Sequence, residues 1–233
     1  MYNKIVKLEW DSEFFNLEVG KLIIQNSIPS NFLKELSKFQ LVYIFSENKI
    51  SEIDDLLVDK KTILTLKLDD SKEFKVKETN GIIEPFDIKK HDTSTLIDLA
   101  IQSGIYSRFN LDPNIDDLLF KKLYRKWILN SIDKVNALQT LVFSFENKVV
   151  ALLTISIENE STASIGLFAV DSNYRGLGIG INMINQAINY VKEQGYDRLN
   201  VVTQLDNNSA INIYKKAGFN IINLTYIYHY WNL

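Results

Sequence analysis

Apolar positions in the first third of the chain change period several times. The segments "GKLIIQ" (20–25), "LVYIF" (41–45) and "TILTLKL" (62–68) read as strands. Between them Phe32, Leu33, Leu36 and Phe39, then Ile50, Ile53, Leu56 and Leu57, recur at helical spacing. The alternation predicts a small α/β unit. The polar stretch "DDSKEFKVKETNG" (69–81) interrupts it and predicts a junction between a unit at 1–80 and a larger one at 81–233.

Past the junction the periods lengthen. A strand at 82–86 leads to a helix bearing Leu96, Leu99 and Ala100, the loop "QSGIYSRFNLDPN", and a helix bearing Ile115, Leu118, Leu119, Leu123 and Trp127. Three apolar runs follow, "LQTLVFSF", "VVALLTISI" and "STASIGLFAV", joined by the short turns "ENK" and "ENE". Links this short predict an antiparallel meander. Ile181, Ile184, Ile188 and Val191 then mark a helix ending at Gly195, "LNVVTQ" a strand, "NNSAINIYKKAG" a short capped helix, and "FNIINLTYIYHYW" the last strand.

Composition narrows the chemistry. The chain has no cysteine, which excludes a thiolate nucleophile, a disulfide framework and the common structural zinc sites, and fits a reducing cytoplasm. Its two histidines, His91 and His229, lack a second metal ligand at useful spacing, so no metal is expected. A net charge of −3 argues against a non-specific nucleic-acid binder. No apolar run is long enough to span a bilayer. Lys121, Lys122, Arg125 and Lys126 read as a solvated helix face.

Of the nine glycines, three stand at alternate positions in "VDSNYRGLGIG" (170–180), between a predicted strand and a predicted helix. Unpaired N–H groups and the positive end of the helix dipole make such a junction an anion site, and Gly176, Gly178 and Gly180 would let phosphate oxygens reach bare main chain beside Arg175. A phosphate-binding G-x-x-x-x-G-K-[ST] loop is ruled out by spelling. So is G-x-G-x-x-G, because Ile181 or Met183 falls at its third position. The competing reading is a glycine turn that only tightens a strand-helix junction.

The spelling that fits is R-x-x-G-x-G, at Arg175, Gly178 and Gly180. One strand later Asn207, Ala210, Tyr214, Gly218 and Phe219 fit N-x-x-A-x-x-x-Y-x-x-x-G-F. In both stretches the chain resembles the GCN5-related N-acetyltransferase (GNAT) superfamily. That resemblance implies an α/β (α+β) fold, with a mixed central sheet flanked by helices and preceded by the smaller N-terminal α/β domain. It also implies acetyl-CoA as cosubstrate, held by Phe168, Ala169, Val170, Arg175, Gly176, Leu177, Gly178, Ile179, Gly180, Ile181 and Asn207. Main-chain groups of Phe168 and Val170 would serve the pantetheine and the carbonyl where two strands splay.

Within the second motif Tyr214 shares a helix face with Ala210, and a phenol there can protonate a departing thiolate as general acid. A packing tyrosine is the alternative. No acidic residue stands on "STASIGLFAV", and Glu158 and Glu160 fall in a turn, so the amine proton is expected to leave through water.

For the acceptor, "SGIYSRFNLDP", "LEWDSEFFNLEVGKL" and "YHYW" resemble acetyltransferases of nucleotide-linked amino sugars, of the dTDP-4-amino-4,6-dideoxyhexose type. By that likeness Tyr106, Ser107 and Arg108 would meet the acceptor, and a homodimer is suggested. Alternatively Arg108 is a surface arginine paired with Asp112, the acceptor is a protein, peptide or other small amine, or the chain binds coenzyme A without turnover.

Overall fold

The computed structural model describes residues 4–25, 32–69, 72–135 and 137–232. The predicted helical positions Phe32 and Leu33, as side chains, and the junction residues Asp70 and Ser71 lie outside the described set.

In chain order the elements are β1 (Val6–Lys7), α1 (Glu9–Phe15), β2 (Val19–Ile24), α2 (Phe32–Leu36), β3 (Leu41–Ser46), β4 (Leu57–Lys67) and β5 (Gly81–Pro85). Then come α3 (Thr93–Ser103), α4 (Arg108–Leu111), α5 (Asp117–Ile132), β6 (Gln139–Phe145), β7 (Lys148–Asn159) and β8 (Thr162–Val170). The chain closes with α6 (Ile179–Glu193), β9 (Arg198–Gln204), α7 (Asn208–Ala217) and β10 (Asn220–Trp231). The helix expected around Ile53 is only a 3-10 turn, Ser51–Leu56, because Leu57 already belongs to the strand that follows. The loop expected between α3 and α5 contains one helical turn, α4.

Among the described residues the strands form one mixed, mostly antiparallel sheet in the order β1-β2-β3-β10-β4-β9-β8-β7-β6-β5. The expected meander is β6-β7-β8, antiparallel throughout. Its central strand is apolar on both faces because both are covered. Ala151, Leu153 and Ile155 pack with Met183, Ile184 and Ile188 of α6, whereas Leu152 packs with Leu96, Leu99 and Ala100 of α3 and Ile128 of α5.

The boundary expected at residue 80 does not divide the sheet. Strand β4 pairs antiparallel with β10 on one edge and with β9 on the other, so a strand from the first 80 residues sits among the last strands of the chain. Nor is the polar stretch a free linker. Asn182, Asn185 and Asn189, at helical spacing on α6, hydrogen-bond main-chain groups of Lys77, Lys75 and Phe74 at 2.8–3.1 Å, and Lys192 Nζ reaches the Asp69 and Lys72 carbonyls. The described part of the segment is strapped along α6.

Candidate functional site

The site begins where β8 and β9 part. They pair in parallel only from Thr162 to Ile165, against Arg198 to Val201, although β8 continues to Val170 and β9 to Gln204. Leu167 N–H donates to Thr154 Oγ1 and Asp171 N–H to the Val150 carbonyl, both at 2.8 Å toward β7. Alternation along the strand therefore turns the main-chain groups of Phe168 and Val170 the other way, into the gap. Arg175 Nε uses this by donating to the Val170 carbonyl at 3.0 Å, folding the glycine loop back on the strand end.

Two cavities meet at the gap. One, of about 380 Å³, is lined by Phe168, Ala169, Val170, Tyr174, Arg175, Gly176, Gly178, Ile179, Gly180 and Ile181 on one side and by Asn207, Ala210 and Ile213 on the other. The loop suits a diphosphate. Gly176 and Gly178 adopt φ +81° and +80°, which L side chains rarely adopt, and a Cβ on either would meet nothing within 4 Å. Gly178 caps α6 without a side chain, so the first-turn N–H groups of that helix have no side-chain acceptor. Gly180 serves packing, since a Cβ there would lie 2.7 Å from Ile213 Cδ1 of α7. Leu177 is 63% exposed and does not line this cavity.

The second cavity, of about 560 Å³, lies under the sheet opening and shares Ser103, Phe168, Asn207 and Ala210 with the first. Ser107 and Arg108 line it. Tyr106, expected beside them, is exposed and lines the smaller cavity instead, because the chain turns into α4 after Ser107. Sequence reading missed Lys21, Phe45, Asp59 and Lys61, which come from β2, β3 and β4. It also missed Lys216 beside the smaller cavity.

Tyr214 projects from α7 into the larger cavity, 3% exposed, its ring between Phe168 (centroids 6.2 Å) and Phe219 (5.7 Å). Asn207 aims this helix by accepting the Ala210 N–H at 3.1 Å as its cap. Burial alone pushes the Tyr214 phenol above its ordinary value, so it stays protonated at neutral pH.

Arg108 is not a surface residue. Its guanidinium lies 4.0 Å from the Tyr43 ring centroid and 4.5 Å from that of Phe109. Asp112 supports it through an intermediary: Asp112 Oδ2 accepts from His229 Nδ1 and Trp231 Nε1, which leaves His229 Nε2 to accept from Arg108 at 3.5 Å. Burial, reinforced by the positive charge of Arg108 and opposed by Asp112, pulls His229 down to about 4. The ring is therefore neutral at physiological pH and acts as a positioning residue.

Asp59 behaves oppositely. Burial pushes its carboxyl up to about 7 against the pull of Arg108, Lys61 and Gln204. Between the ordinary value of 3.8 and about 7 the folded chain holds a proton that the unfolded chain gives up, so this group's contribution to stability falls as pH rises through that window. Asp59→Asn is therefore expected to match the wild-type melting temperature below the window and exceed it above the window. Thermal melts across pH check this, and a variant less stable at every pH would contradict it.

Against known families, residues 96–219 match the acetyltransferase (GNAT) family. The chain belongs to that family. The splayed strands and the glycine loop fall within the matched stretch. A Bacillus subtilis relative, spore coat polysaccharide biosynthesis protein SpsD, is 25% identical over 140 residues, 60% of this chain and 48% of the relative; the chain thus matches about half of that protein's length. Zebrafish N-alpha-acetyltransferase 50 is 28% identical over 112 residues, 46% of this chain and 66% of the relative.

Among solved structures, a Staphylococcus epidermidis protein of unknown function superposes with a TM-score of 0.68 at 13% identity, covering 92% of this chain and 85% of that one. The PaiA N-acetyltransferase of Thermoplasma acidophilum, solved with coenzyme A, gives 0.52 at 18% identity over 66% of this chain and 100% of that one. Identities this low speak for the fold alone. Among the described residues no helix is long and apolar enough to cross a membrane.

Proposed function

We propose that this GNAT enzyme acetylates the amino group of a nucleotide-linked amino sugar, of the dTDP-4-amino-4,6-dideoxyhexose type, by direct attack on acetyl-CoA. The observation that carries the reading is the larger cavity, which converges on Tyr214 from the side opposite the glycine loop. Lys21, Lys61 and Arg108 give it a cationic wall suited to a diphosphate. Phe45, Phe109 and Trp127 offer ring faces to a sugar or base, and Ser103, Ser107 and Thr203 offer hydroxyls. The spore coat polysaccharide relative supports the same class of acceptor.

Acetyl-CoA would lie along the smaller cavity, its diphosphate on the main chain from Arg175 to Gly180, and would supply the acetyl thioester. The main-chain groups of Phe168 and Val170 would orient the thioester arm, and Tyr214 would face the sulfur. Incubating the protein with acetyl-CoA and a panel of amino-sugar nucleotides and peptides, read by mass spectrometry, tests the acceptor. Acetylation of peptides but of no sugar nucleotide would overturn it in favour of the activity named by the N-alpha-acetyltransferase relatives.

Arg108→Lys separates the two cavities. A lysine keeps the charge but loses the flat stacking on Tyr43 and Phe109 and the fork that reaches His229. The acceptor KM is expected to rise by about tenfold or more while the acetyl-CoA KM stays within about twofold, since one lost charge-assisted contact is worth on the order of 1.5–3 kcal/mol. Steady-state kinetics with each substrate varied in turn would show it, and equal changes in both constants would count against the assignment of Arg108 to the acceptor.

A further inference from the structure

An amine that arrives as an ammonium ion cannot attack until one proton has left it. Asp59 is the single carboxylate among the described residues that line the larger cavity. It stands on β4 opposite Ile227 of β10, two residues before Lys61, which pairs with Gln204 at the open end of β9. The residue is 9% exposed and its Oδ1 is buried without a hydrogen-bond partner. A carboxylate oxygen kept dry and unpaired is costly, and a core position that only had to pack would carry an apolar side chain.

The charged and titratable groups around Asp59 come from every side. Lys61 lies on its own strand, Arg108 on α4, Tyr124 on α5, Asp206 just past β9, and Lys21 across the cavity on β2. Arg108, Lys61 and a hydrogen bond with Gln204 oppose, but do not cancel, the effect of burial, and Asp206 adds to it. The carboxyl, pushed up to about 7, exchanges protons in the range where an amine must lose one.

We propose that Asp59 is the general base of the transfer, its carboxylate taking the first proton from the acceptor ammonium; this rests on the reading of the larger cavity as the amine site. The freed lone pair forms the C–N bond to the thioester carbonyl carbon. The C–S bond then breaks, the departing sulfur takes a proton from Tyr214, and the phenolate recovers one from the new amide nitrogen. Asp59 releases its proton to solvent. The balance is one ammonium and one thioester consumed, with one amide, one thiol and one proton formed.

The experiment compares wild type with Asp59→Asn and Asp59→Glu on an amine that the wild type acetylates, at saturating acetyl-CoA across the neutral pH range. The wild-type profile is expected to show an acidic limb near 7. Asn should abolish that limb and lower kcat by about a hundredfold, with coenzyme A affinity by calorimetry unchanged. Glu should restore a limb at a shifted position. An Asn variant that keeps the limb, or whose loss is confined to acceptor KM, overturns the proposal.

Carbon-13 NMR of the aspartate carboxyls in the free protein supplies a readout that needs no acceptor. The resonance missing from Asp59→Asn should titrate near 7, and titration in the ordinary carboxylate range overturns the proposal. A wild type that acetylates peptides but no sugar nucleotide defeats the acceptor reading alone, because the profile and the titration still decide the role of Asp59.

Discussion

Tyr214→Phe is expected to lower kcat by about a hundred- to a thousandfold while coenzyme A affinity stays within about twofold. The substitution removes one oxygen and leaves the ring wedged between Phe168 and Phe219, so packing and the walls of both cavities persist. What disappears is the hydroxyl proposed to face the sulfur. Because burial keeps this phenol protonated, its hydroxyl is available to donate a hydrogen bond to the negative charge that grows on the departing sulfur. Stopped-flow or steady-state rates set beside calorimetric affinity test this, and an unchanged kcat would remove Tyr214 from the chemistry.

Gly178→Val is expected to weaken coenzyme A binding by about a hundredfold or more, the equivalent of roughly 3 kcal/mol. Two effects combine. A β-branched residue resists φ +80°, and its side chain would stand in the open space that the diphosphate must enter. Gly195 offers a matched control: it has φ +81° and equally open surroundings, but it closes the far end of α6. Gly195→Val should incur the same backbone strain and lose stability without losing coenzyme affinity. If calorimetry finds the two variants equally impaired in binding, the glycine loop is a folding device and the phosphate lies elsewhere.

The geometry of the glycine loop and of α7 was legible because its determinants are local. Positive φ at Gly176 and Gly178, the Asn207 cap and the Ala210–Tyr214 face are each set by residues within a turn or two, and spacing along the chain reports them. The larger cavity is made by distant strands. Asp59 reads on the page as one charge in "VDKKTIL", and only the placing of β4 beside β9 brings it under the gap. The stretch "STASIGLFAV" carries no acidic residue, and the one carboxylate among the described residues lining the larger cavity comes from a different strand.

Arg108 and Asp112, four residues apart, suggested a direct pair, but α4 spans a single turn and the carboxylate is occupied by His229 and Trp231 of β10. The short helix near Ile53 failed for a local reason: Ile50, Ile53, Leu56 and Leu57 satisfy a helical period, yet the strand claims the last of them.

The position of β4 also governs the order in which the molecule can assemble on the ribosome. Both of its neighbours, Arg198–Gln204 and Asn220–Trp231, are synthesised late, so the nascent β4 waits with both edges bare. An extended segment in that state invites pairing with another chain, and the charges of Asp59, Lys60 and Lys61 act there as gatekeepers against aggregation.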